Sequence, residues 1–421
     1  TAKPNELKTE GSDAITDAKG LYFINPLGDE DKPQQIWTQG ETEASSCWFP
    51  TIDKPNERMT QNIAITVKDE FVTLSNGLLV KSEKNEDGTR TDYWEQKLAH
   101  TPYLAMLGVG DFNITSDKWK DIKVDYYLEE EYHPFARAIF GRTPQMIAHF
   151  SEILGVEYPW EKYAQIIVRD FVSGAMENTT AVIYGEFVQM NDRELADNHE
   201  EDIIAHELFH HWFGDLVTCE SWANLPLNES FATYGEYIWR EKGFSRMEAD
   251  MHLDADLNNY LRESQRKQVD MIRFNYLDKE DMFDNHSYAK GGRVLHMLRY
   301  YLGDEAFYKG LKKYLNDNAF STVEIHQLRI AMEEVCGEDL NWFFNQWFLA
   351  SGHPLLVIDY KYDPVNKQQI VKLEQIQDKI TTPIHRLSFY IDVYENGVPK
   401  RHLVEMNSHQ QDYYFDVEEK P

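Results

Sequence analysis

His206-Glu207-Leu208-Phe209-His210, followed after 18 further residues by Glu229 within Asn228-Glu229-Ser230-Phe231-Ala232, decides how the rest of this 421-residue chain is read. The surrounding pattern predicts a helix over 202–213, so the two histidines, four residues apart, project from one face and can reach a single metal ion. Glu229 falls in the first turn of a second predicted helix, 229–242. Two imidazoles and one carboxylate leave a fourth position open, as a catalytic zinc site needs. Glu207 lies beside the ligands and is free to act as a base. His211 is adjacent to a ligand but points about 100° away on a helix, and is read as packing or support. With 15 histidines in the chain, a chance H-E-x-x-H is expected at roughly 5%. The requirement for a glutamate on a second helix lowers that about tenfold.

Outward from this stretch, helices are predicted at 287–302, 304–316 and 322–336, the last opened by a Ser321-x-x-Glu324 capping box and closed before Gly337. Upstream, Pro144 opens a helix whose stripe is Met146, Ile147, Phe150, Ile153 and Leu154, with Gly155 as the stop. A β segment interrupts the helices at Gln165–Arg169 and Ala181–Tyr184, flanking Gly174. The first 130 or so residues read as strands, with Ile63, Ile65 and Val67 alternating and Asn76-Gly77 and Asp87-Gly88 as turn signals. Period-two patterning returns after Gly352 and Pro354, with Leu356, Ile358 and Tyr360, then Leu387, Phe389, Ile391 and Val393 before Asn396-Gly397. Three regions follow: a β domain over 1–130, a catalytic domain over 131–352 and a second β domain over 353–421.

Seventy-two acidic against forty-two basic residues give a formal charge of −30, which argues against nucleic-acid phosphates and anionic membranes as partners. No run reaches the roughly 18 apolar residues of a membrane span, and Thr1 is followed by a polar stretch rather than a signal peptide. Cys47, Cys219 and Cys336 are too few and too scattered for a disulfide framework or a thiolate metal site. Compartment and oligomeric state are not encoded in these features.

Several separate motifs in order, most clearly over residues 160–350, resemble the gluzincin family of zinc aminopeptidases that includes alanyl aminopeptidases, puromycin-sensitive aminopeptidase and leukotriene hydrolase. Gly174-Ala175-Met176-Glu177-Asn178 matches its G-A-M-E-N element, His206 to Glu229 its H-E-x-x-H-x18-E motif, and Tyr288-Ala289-Lys290-Gly291 its Y-x-K-G segment. Thr38-Gln39-Gly40-Glu41 resembles its T-Q-x-E element, and Trp342–Trp347 its aromatic helix, read as packing. The resemblance implies a multidomain α+β fold: a truncated β-rich N-terminal domain, a thermolysin-like, mainly helical catalytic domain, and a C-terminal β-sandwich-like domain. Family members carry roughly twice the 173 residues found here ahead of G-A-M-E-N, and many end in a further helical domain, so truncation at both ends is expected.

By the same resemblance, one Zn2+ is held by His206, His210 and Glu229, and zinc-activated water hydrolyses the N-terminal peptide bond of peptides with a free N-terminus. Glu207 is the general base and Tyr288 the oxyanion donor. Glu177, with Glu41 as a second acid, binds the substrate's α-amine, while Gly174, Ala175 and Met176 contact its backbone along a strand edge. A thermolysin-type endopeptidase shares the zinc logic, a non-catalytic scaffold would keep the fold alone, and no residue specifically supports epoxide hydrolysis.

Overall fold

A computed structural model describes residues 19–421; residues 1–18, the first part of the β-rich opening, lie outside the described residues. The N-terminal part is built from two antiparallel sheets. One has four strands in the order Gly20–Ile24, β1 (Gln35–Gln39), Leu107–Gly110 and Val72–Ser75. The other pairs Met59–Lys68 with Thr89–His100, and Thr89–His100 with Leu78–Lys84. The predicted alternation is visible in Met59–Lys68, where Ile65 is buried and its neighbours Ala64 and Thr66 are exposed. Asp87-Gly88 joins a hairpin, but Asn76-Gly77 carries the chain from one sheet to the other. Asn76 is buried there, donating through Nδ2 to the carbonyls of Leu104 and Thr179, because the crossing point has no sheet ladder to satisfy those groups.

Residue 130 falls just after two strands that join the sheet of the following region. That five-stranded sheet contains β2 (Asn113–Trp119), β3 (Ile122–Leu128), β4 (Lys162–Val168), β5 (Ala175–Met176) and β6 (Ala181–Gly185), in the order β5-β6-β4-β3-β2. The central pairs β3/β4 and β4/β6 are parallel, and the two edge pairs are antiparallel. β4 is buried at every position, as a strand covered on both faces must be.

The helices follow: α1 (Thr143–Leu154), α2 (Glu201–His210), α3 (Pro226–Gly243), α4 (Arg246–Ser264), α5 (Gly291–Leu302), α6 (Asp304–Asp317), α7 (Ile325–Cys336) and α8 (Asn341–Trp347). α1 has Pro144 in its first turn and ends on Gly155 in the left-handed region at φ +61°. Three sequence expectations change. α2 ends at His210 rather than 213, since His211 is its C-cap. The capping box of α7 is Glu324 with Gln327, because Ser321 belongs to a short strand, Ser321–Val323, paired in parallel with Val217–Cys219. The 19-residue helix α4 was not expected, since Met247 and Met251 are exposed and only Ala249, Leu253, Tyr260 and Ser264 are buried.

α2 and α3 cross in the middle of the main core, where Phe213 stacks on Phe231 with ring centroids 4.1 Å apart. Gly235 permits the close approach, because a Cβ there would stand 2.7 Å from Cβ of Phe209. The C-terminal region pairs Leu356–Asp363, Gln368–Gln375 and Gln410–Asp416 in one sheet, faced by the hairpin of Leu387–Glu395 and Val398–Met406. The two layers share a small core of Val371, Leu373, Val393, Val404, Met406 and Phe415, which makes the arrangement sandwich-like. Leu356, Ile358 and Tyr360 lie in a strand as expected, but their side chains are exposed. The chain is thus a multidomain α+β protein.

Candidate metal centre and cleft

The close crossing of α2 and α3 sets three donor atoms against one another. Nε2 of His206 lies 3.3 Å, and Nε2 of His210 3.4 Å, from Oε2 of Glu229. A tetrahedral zinc with bonds of 2.0–2.1 Å separates its ligand atoms by about 3.3–3.4 Å, so each histidine nitrogen stands from the Glu229 oxygen at the spacing such an ion requires, and all three donors lie within 4.8 Å of one another. Both histidines also have the correct nitrogen free. Nδ1 of His210 donates to the Phe213 carbonyl at 3.0 Å, and Nδ1 of His206 to Oε1 of Glu236 at 2.7 Å. Once its proton is displaced by a metal, each Nε2 would present its lone pair on the side where Glu229 lies. His211, by contrast, is fully buried and committed elsewhere: Nδ1 donates to the Glu207 carbonyl and Nε2 accepts from the Thr180 amide. Burial pushes its pKa down to about 3, so it is a neutral packing group rather than a ligand.

The electrostatics of the cluster favour a cation. Burial opposes a charge on His206 and His210, but Glu229 and Glu236 hold His206 well above the ordinary imidazole range, and Glu177 and Glu229 raise His210 to about 9. Against its own burial, Glu229 is held at about 2 by His210 and His206. The field that keeps protons on these imidazoles is the field that attracts a divalent ion, whose binding would displace them. The residues therefore fit the expected metal.

Around the donors opens a cleft of about 660 Å³. Glu207 stands in it with Oε2 buried and unpartnered, and burial raises its pKa to about 8, moderated by the two histidines. A bound dication would act in the opposite sense and favour the carboxylate. Carboxyl oxygens of Glu41, Glu177 and Glu229 lie within 4.8 Å of one another. Glu177 and Glu41 each keep a buried oxygen without a partner, and burial raises both, Glu41 well above the usual range. Glu41 arrives from the N-terminal sheet, just past the end of β1, where Gln39 donates to the Met176 sulfur at 3.2 Å.

β5 forms one wall as an edge strand of the central sheet, with Gly174 exposed and its carbonyl accepting from the Gly185 amide. Gly174, Ala175 and Glu177 line the cleft, but Met176 does not: it points beneath the strand into a core patch with Tyr103, Leu104 and Trp222. Strand alternation explains the difference.

Tyr288 completes the cleft, half-buried, with its ring parallel to His206 at a centroid distance of 6.1 Å. It sits in a π-helical turn, His286–Lys290, rather than at an ordinary helix start. Oδ1 of Asp284 accepts from the amides of His286 and Ser287, and Arg273 and Lys267 hold the other oxygen. Ser230, next to Glu229 on α3, donates to the Ser287 carbonyl at 2.6 Å. Burial and the nearby carboxylates raise the Tyr288 phenol well above its ordinary value, so it remains a neutral donor.

Sequence reasoning did not find Glu236 or His252, which line the same cleft, nor Glu280 and Phe283 at its rim. Glu236 carried a signal, since it lies two helical turns beyond Glu229 and hence on the same face of α3. A larger groove of about 1270 Å³ runs between α4, α5 and the C-terminal hairpin, but no metal-ligating cluster among the described residues falls in it.

Residues 139–347 match the Peptidase family M1 domain and residues 4–104 the Peptidase M1 N-terminal domain. Aminopeptidase M1 of Arabidopsis thaliana is 32% identical over 364 residues, covering 83% of this chain and 41% of that protein. Tricorn protease-interacting factor F2 of Thermoplasma acidophilum is 31% identical over 348 residues, covering 80% and 43% respectively. The structure of Legionella pneumophila aminopeptidase A in complex with aspartic acid shares the fold with a TM-score of 0.81 at 21% identity, over 95% of this chain and 46% of that one. The chain thus spans less than half the length of these relatives. Two family domains matched in order, and the extent of the similarity to these relatives, show that the chain belongs to peptidase family M1.

Proposed function

We propose that this chain carries the catalytic centre of a zinc aminopeptidase, which removes N-terminal residues from peptides with a free amine. The observation that carries the reading is the placement of two carboxylates, Glu41 and Glu177, each with a buried oxygen that has no partner, beside the three metal donors. The substrate's ammonium group bound by this pair fixes how far the chain extends before a carbonyl meets the donors, so the first peptide bond is selected. An internal peptide segment would leave both acids buried and unsatisfied.

When bound by His206, His210 and Glu229, zinc supplies a Lewis acid and lowers the pKa of water to about 7. Glu207 takes the proton released as water adds to the carbonyl and passes it to the leaving amine. The Tyr288 hydroxyl donates to the oxygen on which negative charge develops. The free edge of β5, at Gly174 and Ala175, accepts the substrate backbone as an added strand.

The test is a panel of aminoacyl amides and peptides, free and N-acetylated, assayed with wild type and Glu207→Ala. Wild type should cleave only free-amine substrates, and the variant should retain one zinc while losing turnover. Efficient cleavage of acetylated peptides would favour an endopeptidase, loss of zinc from Glu207→Ala would overturn the assigned base, and zinc uptake without hydrolysis of any free-amine substrate would favour a scaffold.

A further inference from the structure

Glu236 joins the metal cluster to a helix that the sequence did not reveal. Its Oε1 accepts from Nδ1 of His206 at 2.7 Å, and its Oε2 stands 2.9 Å from Nε2 of His252 on α4. His252 is itself flanked by carboxylates, with Oδ2 of Asp202 and of Asp256 each 3.9 Å from a ring nitrogen. Asp202 does not depend on His252 for a partner, because Arg240 binds it through two nitrogens. His252 therefore faces Glu236 as its nearest ion-pair partner. All of these side chains are at most one-quarter exposed, so neither carboxylate nor imidazole is a freely rotating surface group.

We propose that Glu236 and His252 are positioning residues for His206: Glu236 fixes the ring's tautomer and orientation, and His252 holds the carboxylate in place from α4. The inference rests on the reading of His206 as a metal ligand. It goes further by naming a support that reaches from α3 to α4. An imidazole with one Nδ1–H committed to a carboxylate presents a more basic Nε2 at a fixed angle. A carboxylate with only one of its oxygens tied can swing about its Cγ–Cδ bond, and the ion pair with His252, close but not aligned as a hydrogen bond, restrains that freedom. His210 has no such need, because its Nδ1 is held by a backbone carbonyl within its own turn.

Two roles for a buried acid–base pair, support of a ligand and simple helix-to-helix pairing, differ in what they do to metal affinity. Zinc dissociation constants of the apo chain, measured by competition with a chromophoric chelator, separate them. Glu236→Ala should weaken zinc 10–100-fold and His252→Ala about tenfold. Glu236→Gln, whose amide oxygen can still accept from Nδ1–H, should recover most of the loss. In zinc-loaded protein labelled with ¹⁵N-histidine, the His206 Nδ1–H resonance should shift in His252→Ala, although that residue does not touch His206. Equal affinity within about twofold for Glu236→Ala and wild type, or an unchanged His206 resonance in His252→Ala, would overturn the proposal. Should Glu236→Ala fail to fold, Glu236→Gln and His252→Ala decide it by the same readings. A wild-type chain that takes up no zinc would remove the metal-site reading along with its support, whereas normal uptake by wild type and variants alike removes the support only.

Discussion

Tyr288 offers a neutral hydroxyl beside the donor cluster, and in the proposed role of oxyanion donor it would act where charge develops, not where substrate first binds. Tyr288→Phe should therefore lower kcat by on the order of 10²–10³ with little change in KM. Equal losses in kcat and in substrate affinity would contradict this role. A second residue makes a prediction unrelated to catalysis. Lys162, at the start of β4, is buried with its ammonium donating to the Ser75 carbonyl and the Thr180 hydroxyl, and burial lowers its pKa to about 7. Between that value and the ordinary lysine range near 10.5, the unfolded chain binds a proton that the native chain does not. Native stability should thus gain from this residue as pH rises above about 7, the burial penalty on the charged form being fully present below it. Thermal midpoints at pH 6.5, 8 and 9.5 should show a smaller rise in Lys162→Met than in wild type; parallel curves would exclude Lys162 as the cause. At this scale the sequence was most informative where a motif fixes both residue type and spacing, as at His206, His210 and Glu229. It was silent on Lys162, whose environment is assembled from residues nearly 90 positions apart.

The elements of the site are tied to one another through α3. Its first turn carries Glu229 toward α2 and Ser230 toward the turn that holds Tyr288, so one helix end locates both the third donor and the phenol. Gly291 makes that arrangement possible by close approach: a Cβ there would lie 1.8 Å from Oγ and 2.4 Å from Cβ of Ser230. Gly291→Ala should cost about 1–3 kcal/mol of stability by overpacking. It should also lower kcat, because Ser230 cannot retreat without moving Glu229 or the Tyr288 turn. A variant with the wild-type thermal midpoint and kcat would show that the helices have room to spare. The helix pair α2/α3 was legible because its apolar faces repeat at helical spacing. α4 was not, since its buried positions Leu253 and Tyr260 are diluted by exposed Met247 and Met251 and by a run of acidic and amide residues. Its only clear signal was Ser245-x-x-Glu248, where the Ser245 hydroxyl caps the helix by accepting from the Glu248 amide. His252, which faces Glu236 from that helix, was hidden for the same reason.

At the scale of the molecule, the N-terminal sheets and the central sheet meet over the cleft, so Glu41 reaches Glu177 only when both parts are folded together. Period-two patterning revealed the strands, but not that Asn113–Trp119 and Ile122–Leu128 would complete a sheet with strands beyond residue 160, because pairing partners are not written in alternation. Among the described residues the cleft is lined by Glu41, Glu177, Glu200, Asp202, Glu207, Glu229, Glu236 and Glu280, and by no lysine or arginine. Walls in which carboxyl groups outnumber the three histidines act before any contact is made. Under the proposed function, cationic peptide termini would be drawn in along the field, and mobile counterions in solution would compete with them over a Debye length of about 8–10 Å near physiological conditions. Raising sodium chloride should therefore depress kcat/KM progressively while leaving kcat nearly constant, since the donors and carboxylates that act during turnover are shielded from bulk ions. Ionic strength becomes a dial on capture alone, and the steepness of its effect should grow with the positive charge of the peptide presented.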